Sequence, residues 1–162
     1  MQRVVVLGRG GAGKTTAARR LGKVIDAPVL ELDRYFWSDD LTATPPARWA
    51  SVQAELAAGE RWVMDGDLGP YDVLAPRLCR ADTVVVLDLG LPRCACRALR
   101  RSRERVDFWW WLLTWRRRSR PVVAAAIRSY GRGADVHVIT SPRQLTAFLR
   151  DAGPDTGPDV GA

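Results

Sequence analysis

Apolar residues come along this chain in short dense runs, separated by longer amphipathic stretches. Val4-Val5-Val6-Leu7 is the first run. It is β-branched and bounded by glycine, which predicts a buried parallel strand. A glycine-rich turn follows, then a helix over about 14–23. Residues 28–33 predict a second strand that ends in Asp33. Pro45 and Pro46 open a helix that runs to about Ala58, with Gly59 as its stop. Residues 61–64 predict a third strand, leading into Asp65-Gly66-Asp67. Residues 71–79 read as a helix despite Pro76. Thr83 to Leu87 is the most apolar strand and is closed by Asp88. Two helices are predicted next, over about 92–105 and 108–130, the second bent near Pro121. A strand over 136–140 and a helix over 142–150 complete the pattern. No internal repeat is present. Strands alternating with helices predict one α/β domain over 1–150, its five-stranded parallel sheet covered by helices on both faces. The last residues, 151–162, are rich in Gly, Pro and Asp and predict a disordered tail.

Composition changes this picture in one respect. Of 162 residues, 47% are hydrophobic and 27% charged, enough apolar material for a core. No run of eighteen apolar residues occurs, which argues against a transmembrane helix. The first apolar run is too short for a signal peptide. Three cysteines, Cys79, Cys94 and Cys96, cannot make a disulfide framework and read as reduced thiols of a cytoplasmic protein. The net charge of +7 is concentrated in one place. Residues 93–120 hold ten arginines against Glu104 and Asp107, a local net of +8. Such clustering points to a phosphate-rich partner: a nucleotide, a nucleic acid or an anionic surface. A solvated basic helix face is the plainer alternative.

The strongest chemical signal is Gly8-Arg9-Gly10-Gly11-Ala12-Gly13-Lys14-Thr15, which fits G-x-x-x-x-G-K-[ST] between a predicted strand and a predicted helix. Glycines let successive backbone N–H groups, including that of Ala12, curl into one anion-binding nest. The helix N-terminus adds partial positive charge. Lys14 is placed to reach the β- and γ-phosphates of ATP, Thr15 to offer a hydroxyl to Mg²⁺, and Thr16 to contact the α-phosphate.

Ligands of open parallel sheets sit at the carboxyl ends of the strands. Asp33, Asp65 and Asp88 all fall there in the predicted pattern. One carboxylate is needed to hold Mg²⁺ or its waters, and another can orient an acceptor hydroxyl. Asp88, after Val84-Val85-Val86-Leu87, looks like the usual metal partner; Asp65, after Trp62-Val63-Met64, is its rival. Each, taken singly, could instead be a cap or turn former.

The loop, Asp65-Gly66, Asp88 and the arginine-rich helix are similar to the adenylate kinase group of P-loop nucleoside monophosphate kinases. Across about residues 3–149 the chain more closely resembles the small bacterial DNA topology modulation proteins. The stretches that carry this are GRGGAGKTT from Gly8, Leu32-Asp33 with Phe36-Trp37, Trp49, WVMDGD from Trp62, ADTVVVLD from Ala81, RRSRP from Arg117 and Ser141-Pro142-Arg143. The resemblance implies ATP- and Mg²⁺-dependent phosphoryl transfer to a small acceptor, such as a nucleotide or nucleoside. It ranks Asp65 above Asp88 at the metal and puts Asp33 at the acceptor hydroxyl. It implies that Arg97 stacks on adenine, that Arg101 clamps phosphates, and that Ser141, Pro142 and Arg143 border the base. Two departures stand out. Asp67 replaces an Asn usual in the subgroup, which disfavours an anionic acceptor. The lid near 101–108 is short.

Trp109-Trp110-Trp111 and Trp115 beside Arg116-Arg117-Arg118 allow three readings. They can dock the helix on the domain, with arginine stems covering apolar surface. They can stack on single-stranded nucleic acid, or they can lie at a membrane interface. A nucleotide-dependent nucleic-acid-binding protein is therefore the alternative to a kinase. Trp37 and Trp49 flank the acceptor stretch, lining a pocket or packing. His137 reads as a core or edge residue. Cys94-Ala95-Cys96 lacks a second ligand pair and is not read as a zinc site.

Overall fold

The computed structural model describes residues 1–37, 42–101 and 106–153. Strand β1 (Arg3–Gly8) lies at the centre of a five-stranded sheet. It is flanked by β3 (Trp62–Asp65) and β4 (Thr83–Leu87), with β2 (Val29–Glu31) and β5 (Asp135–Ile139) at the edges. The order is β2-β3-β1-β4-β5 and every pairing is parallel. Val5 pairs with Met64 on one side and Val84 on the other. The central strands are buried on both faces, so their sequences are continuously apolar rather than alternating.

The two-residue period of β1 divides its side chains between two cores. Val4 and Val6 join Ala17, Leu21, Val85 and Leu87 on one face. Val5 and Leu7 join Trp49, Trp62, Met64 and Trp115 on the other. The first core is covered by α1 (Lys14–Val24) and α7 (Pro142–Asp151). The second is covered by α3 (Pro46–Ala57) and α6 (Val106–Tyr130), which runs on through Pro121. Helix α5 (Leu91–Arg101) precedes α6. Trp49, Gln53 and Ala57 form the buried stripe of α3 at four-residue spacing. Residues 154–162 of the expected tail, and 102–105 of the expected lid, lie outside the described residues. No helix among the described residues is long and apolar enough to cross a membrane.

Two local expectations are corrected. β2 stops at Glu31, and Asp33 instead opens a one-turn helix, α2 (Asp33–Phe36). Phe36 drives the turn: it is buried and packs edge-on to Trp49, ring centroids 5.2 Å apart. The helix expected over 71–79 is a 3₁₀ turn, Gly69–Tyr71, followed by the short α4 (Ala75–Leu78). The break falls at Asp72, whose extended backbone (ψ 141°) sends its carboxylate to Arg77.

Arg77 is wholly buried and organises this corner. Its two terminal nitrogens donate to Asp72 at 2.6 and 2.9 Å, to the Gln53 amide oxygen and to the Gly66 carbonyl at 3.1 Å. Gln53 donates onward to the Val73 carbonyl at 2.9 Å. Asp72 also accepts from the Leu68 amide at 3.2 Å. A buried pair of this kind is costly to break on one side only, because the remaining charge is stranded. Asp72→Ala is therefore expected to lower unfolding free energy by roughly 3–5 kcal/mol. Asp72→Ala combined with Arg77→Met recovers a large part of that loss, as read from urea midpoints.

Candidate functional site

The glycine-rich loop joins β1 to α1 as expected. Gly11 (φ +70°) and Gly13 (φ +89°) hold left-handed backbone that other residues rarely adopt. A side chain at Gly11 would strike the Cys94 carbonyl, and one at Gly13 would meet Arg97 Nη1 at 2.9 Å. The loop thus packs backbone to backbone on α5. Lys14 Nζ donates to the Gly8 and Arg9 carbonyls at 2.9 and 3.3 Å. Its ammonium therefore lies over the hollow of the loop, where a phosphate oxygen would be a stronger, charge-assisted partner. Thr15 and Thr16 occupy the first turn of α1, whose N-terminus faces the same hollow.

The strand-end carboxylates have different surroundings. Asp65 is buried near Thr15, whose hydroxyl favours the ionised carboxylate, and its Oδ1 has no hydrogen-bond partner. Burial raises its pKa, against the opposing pull of Thr15 and Lys14. Asp88 is also buried, but it is held by Arg116 Nε at 2.8 Å and Arg120 Nε at 3.2 Å from α6. Asp33 is exposed at the start of α2. Desolvation raises its pKa, Lys14 opposes this, and Asp72, Glu31 and Asp67 add to it. Thr15 and the orphaned oxygen of Asp65 fit a hydrated divalent cation, which would supply the missing partner.

A cleft of about 390 Å³ opens on the other side of the loop. Gly11, Ala12, Gly13, Thr16, Arg97 and Pro142 line it, all but the last two from the loop or α1. Arg97 Nη1 donates to the Ala12 carbonyl at 3.2 Å, which fixes its guanidinium beside the loop. Ser141 caps α7 by accepting from the Gln144 amide at 3.2 Å, and Arg143 is exposed. Neither lines the cleft; Leu145, Thr146 and Leu149 of α7 do, with Arg20 and Arg100. The sequence pattern offered no signal for these except their shared face on an amphipathic helix. The Arg101 side chain lies outside the described residues.

Helix α6 roofs the loop. The rings of Phe108 and Trp111 press on Gly10, where an added side chain would lie 2.7–2.8 Å from them. Lys14 Nζ is 5.8 Å from the centroid of the Trp111 ring. Leu112 and Trp115 are fully buried, as the packing reading expects, while Trp110 is exposed under Arg118. Trp115 covers the Arg9 guanidinium at 5.7 Å. Arg9 is itself buried, and desolvation lowers its pKa. Asp67 ties the elements together. Its carboxylate accepts from the Gly8 amide at 3.4 Å, the Gly69 amide at 3.1 Å and the Trp115 indole at 3.2 Å. Elsewhere, Trp49 is core, His137 stacks on Phe148 at the sheet edge (4.8 Å), and Cys94 is buried.

No family model and no curated protein sequence matches the chain. Solved structures do. Shikimate kinase from Acinetobacter baumannii in complex with shikimate superposes with a TM-score of 0.60 at 20% identity, covering 93% of this chain and 90% of that one. The YorR protein of Bacillus subtilis in complex with phosphorylated GDP gives 0.62 at 15% identity, covering 91% of both. A gluconokinase from Sinorhizobium meliloti gives 0.54 at 14%, covering 93% and 89%. At these identities the likeness is one of fold, and the fold is that of the P-loop kinases.

Because the ionised form of Asp65 is disfavoured by burial, the folded state holds its proton more tightly than the unfolded chain does. Its ionisation therefore costs stability above the raised folded pKa and costs none below the unfolded value. Asp65→Asn is expected to raise Tm at neutral pH by a few degrees. The gain should disappear as pH falls through the carboxylate range, as measured by calorimetry.

Proposed function

We propose that this chain is an ATP-dependent phosphotransferase acting on a hydroxyl group of a small acceptor. The observation that supports the reading is that Lys14, held over the phosphate loop, lies near enough to Asp33 and Asp65 to act on both carboxylates. The loop amides and Lys14 hold the phosphates. The cleft of Arg97 and Pro142 takes the nucleoside end. Thr15 and Asp65 hold Mg²⁺, which when bound supplies charge neutralisation at the terminal phosphates. Asp33 orients the acceptor hydroxyl and takes its proton as the oxygen attacks phosphorus. Arg101 is assigned a phosphate-clamping role on its resemblance alone. Asp88 acts structurally in this reading, since two arginines already occupy it. Those contacts hold Arg116 and Arg120 on Asp88, with both side chains still about half exposed. Nucleosides are the first acceptors to try, with nucleotides as their charged counterparts, in keeping with the resemblance to the DNA topology modulation proteins.

The direct test is acceptor-dependent ADP formation from Mg-ATP, with Lys14→Ala as the blank. Turnover that rises with a hydroxyl acceptor and vanishes in Lys14→Ala supports the reading; a flat panel with intact ATP binding overturns it. Asp33→Asn is expected to lower kcat by about 10²–10⁴-fold. Its raised pKa adds a second expectation. The carboxylate must be ionised to accept a proton, so activity falls as pH drops through that raised value. The acid limb of kcat/KM should lie above the ordinary carboxylate range, and Asp33→Asn should remove it.

A further inference from the structure

The side of Lys14 that faces α2 has a chemistry of its own. Asp33 opens α2, and Trp37 follows it by one helical turn. The Trp37 ring meets that of Tyr71 at 6.5 Å, and Phe36 beneath them anchors both, at 4.8 and 6.3 Å. Trp37 and Tyr71 remain 40% and 58% exposed, so their rings are open to a ligand rather than consumed by packing. The Trp111 ring continues the wall, lying against Gly69 and beside Lys14. Two aromatic rings held apart from the core beside a carboxylate form a platform for a ring-bearing molecule.

The charge around this platform is negative. Asp67 and Asp72 both act on Asp33. Arg77 is wholly buried, and both its terminal nitrogens are taken by Asp72, Gln53 and the Gly66 carbonyl. Arg34 is paired with Glu31. Lys14 is the cation that acts on Asp33, and the phosphate loop claims it. A phosphorylated or carboxylated acceptor requires a fork of arginine donors to compensate its charge. Among the described residues no such fork faces Asp33.

We infer that the acceptor is an uncharged or cationic cyclic alcohol, seated against Trp37 and Tyr71 with its hydroxyl on Asp33, and not a phosphate or carboxylate ester or acid. This rests on the phosphotransferase reading above. In the transfer, the acceptor oxygen forms a bond to the γ-phosphorus while the bond from that phosphorus to the β–γ bridging oxygen breaks. The electron pair leaves with ADP, and the hydroxyl proton passes to Asp33 and then to solvent. Neutral rings gain from stacking and hydrogen bonding, and a cationic ring gains additionally from the aromatic faces and from Asp67 and Asp72.

The test uses acceptors matched in shape and differing in charge, on the full chain. One set is a nucleoside against its 3′-monophosphate, which keeps the 5′-hydroxyl; another is glucose and glucosamine against glucose 1-phosphate, which keeps the pyranose ring and the 6-hydroxyl. ADP formation gives kcat/KM, and quenching of tryptophan fluorescence gives binding without turnover. In each set the uncharged or cationic member is expected to win by about tenfold or more, the scale of one like charge placed in such a site. Trp37→Ala and Tyr71→Ala should raise KM for that member about tenfold with kcat less affected. Asp67→Asn keeps an oxygen for the Gly8 and Trp115 donors and removes one charge, so it should narrow the ratio between members. Equal or tighter binding of the anionic members, or a ratio unmoved by Asp67→Asn, overturns the inference while leaving phosphotransfer standing. Absent turnover with the binding preference intact counts against phosphotransfer and leaves the charge preference in place.

Discussion

Keeping several carboxylates at the carboxyl edge of the sheet, against desolvation first and like charge second, is the constraint around which this molecule is arranged. Asp33, Asp65, Asp67, Asp72 and Asp88 all collect near one phosphate loop. They cannot all stay ionised there without compensation, since each raises the cost of its neighbours. The fold answers each differently. Asp88 is closed by two arginines of α6 and Asp72 by buried Arg77. Asp67 is satisfied by two amides and an indole. Asp33 and Asp65 are left to Lys14 and Thr15, and they are the two whose ionisation burial disfavours. The reactive carboxylates of the proposed phosphotransfer are drawn from these two.

Helix α6 carries much of that sorting. One face supplies Arg116 and Arg120 to Asp88, four residues apart and therefore one above the other. Another face lays Trp115 into the core and its indole N–H on Asp67. Asp67 in turn grips the Gly8 amide, where β1 ends and the phosphate loop begins. The loop's position is consequently tied to a helix some hundred residues later. A change at Trp115 would act on the loop without touching any ligand.

Much of this was legible in the chain. The five strands and their parallel arrangement follow from buried β-branched runs, and the loop from its glycine spacing. Asp65 and Asp88 could not be separated by pattern, because both close an apolar strand. Only Arg116 and Arg120 separate them, and that contact spans 28 residues and depends on how α6 crosses the sheet. The misread stretch at 71–79 has the same origin. Nothing in the pattern marks Arg77 as buried; it imposes a bend at Asp72 that outweighs local propensity. Asp33 was placed at a strand end, but the burial of Phe36 winds the chain into a turn first.

The arrangement of α5 and α6 has a consequence for water. α5 ends at Arg101 and α6 begins at Val106. The start of α6 brings Phe108 and Trp111 directly onto Gly10, and the Trp111 ring to within 5.8 Å of the Lys14 ammonium. Aromatic rings at that distance displace water from one side of the charge. They lower the local dielectric, so the attraction between Lys14 and an incoming phosphate is larger than at an open surface. They hold no formal charge that would compete for the phosphate, and the ring face favours the ammonium before the phosphate arrives. Screening that a mobile segment provides only on closing is here partly built into a helix, while the inferred acceptor side stays open to solvent at Trp37 and Tyr71.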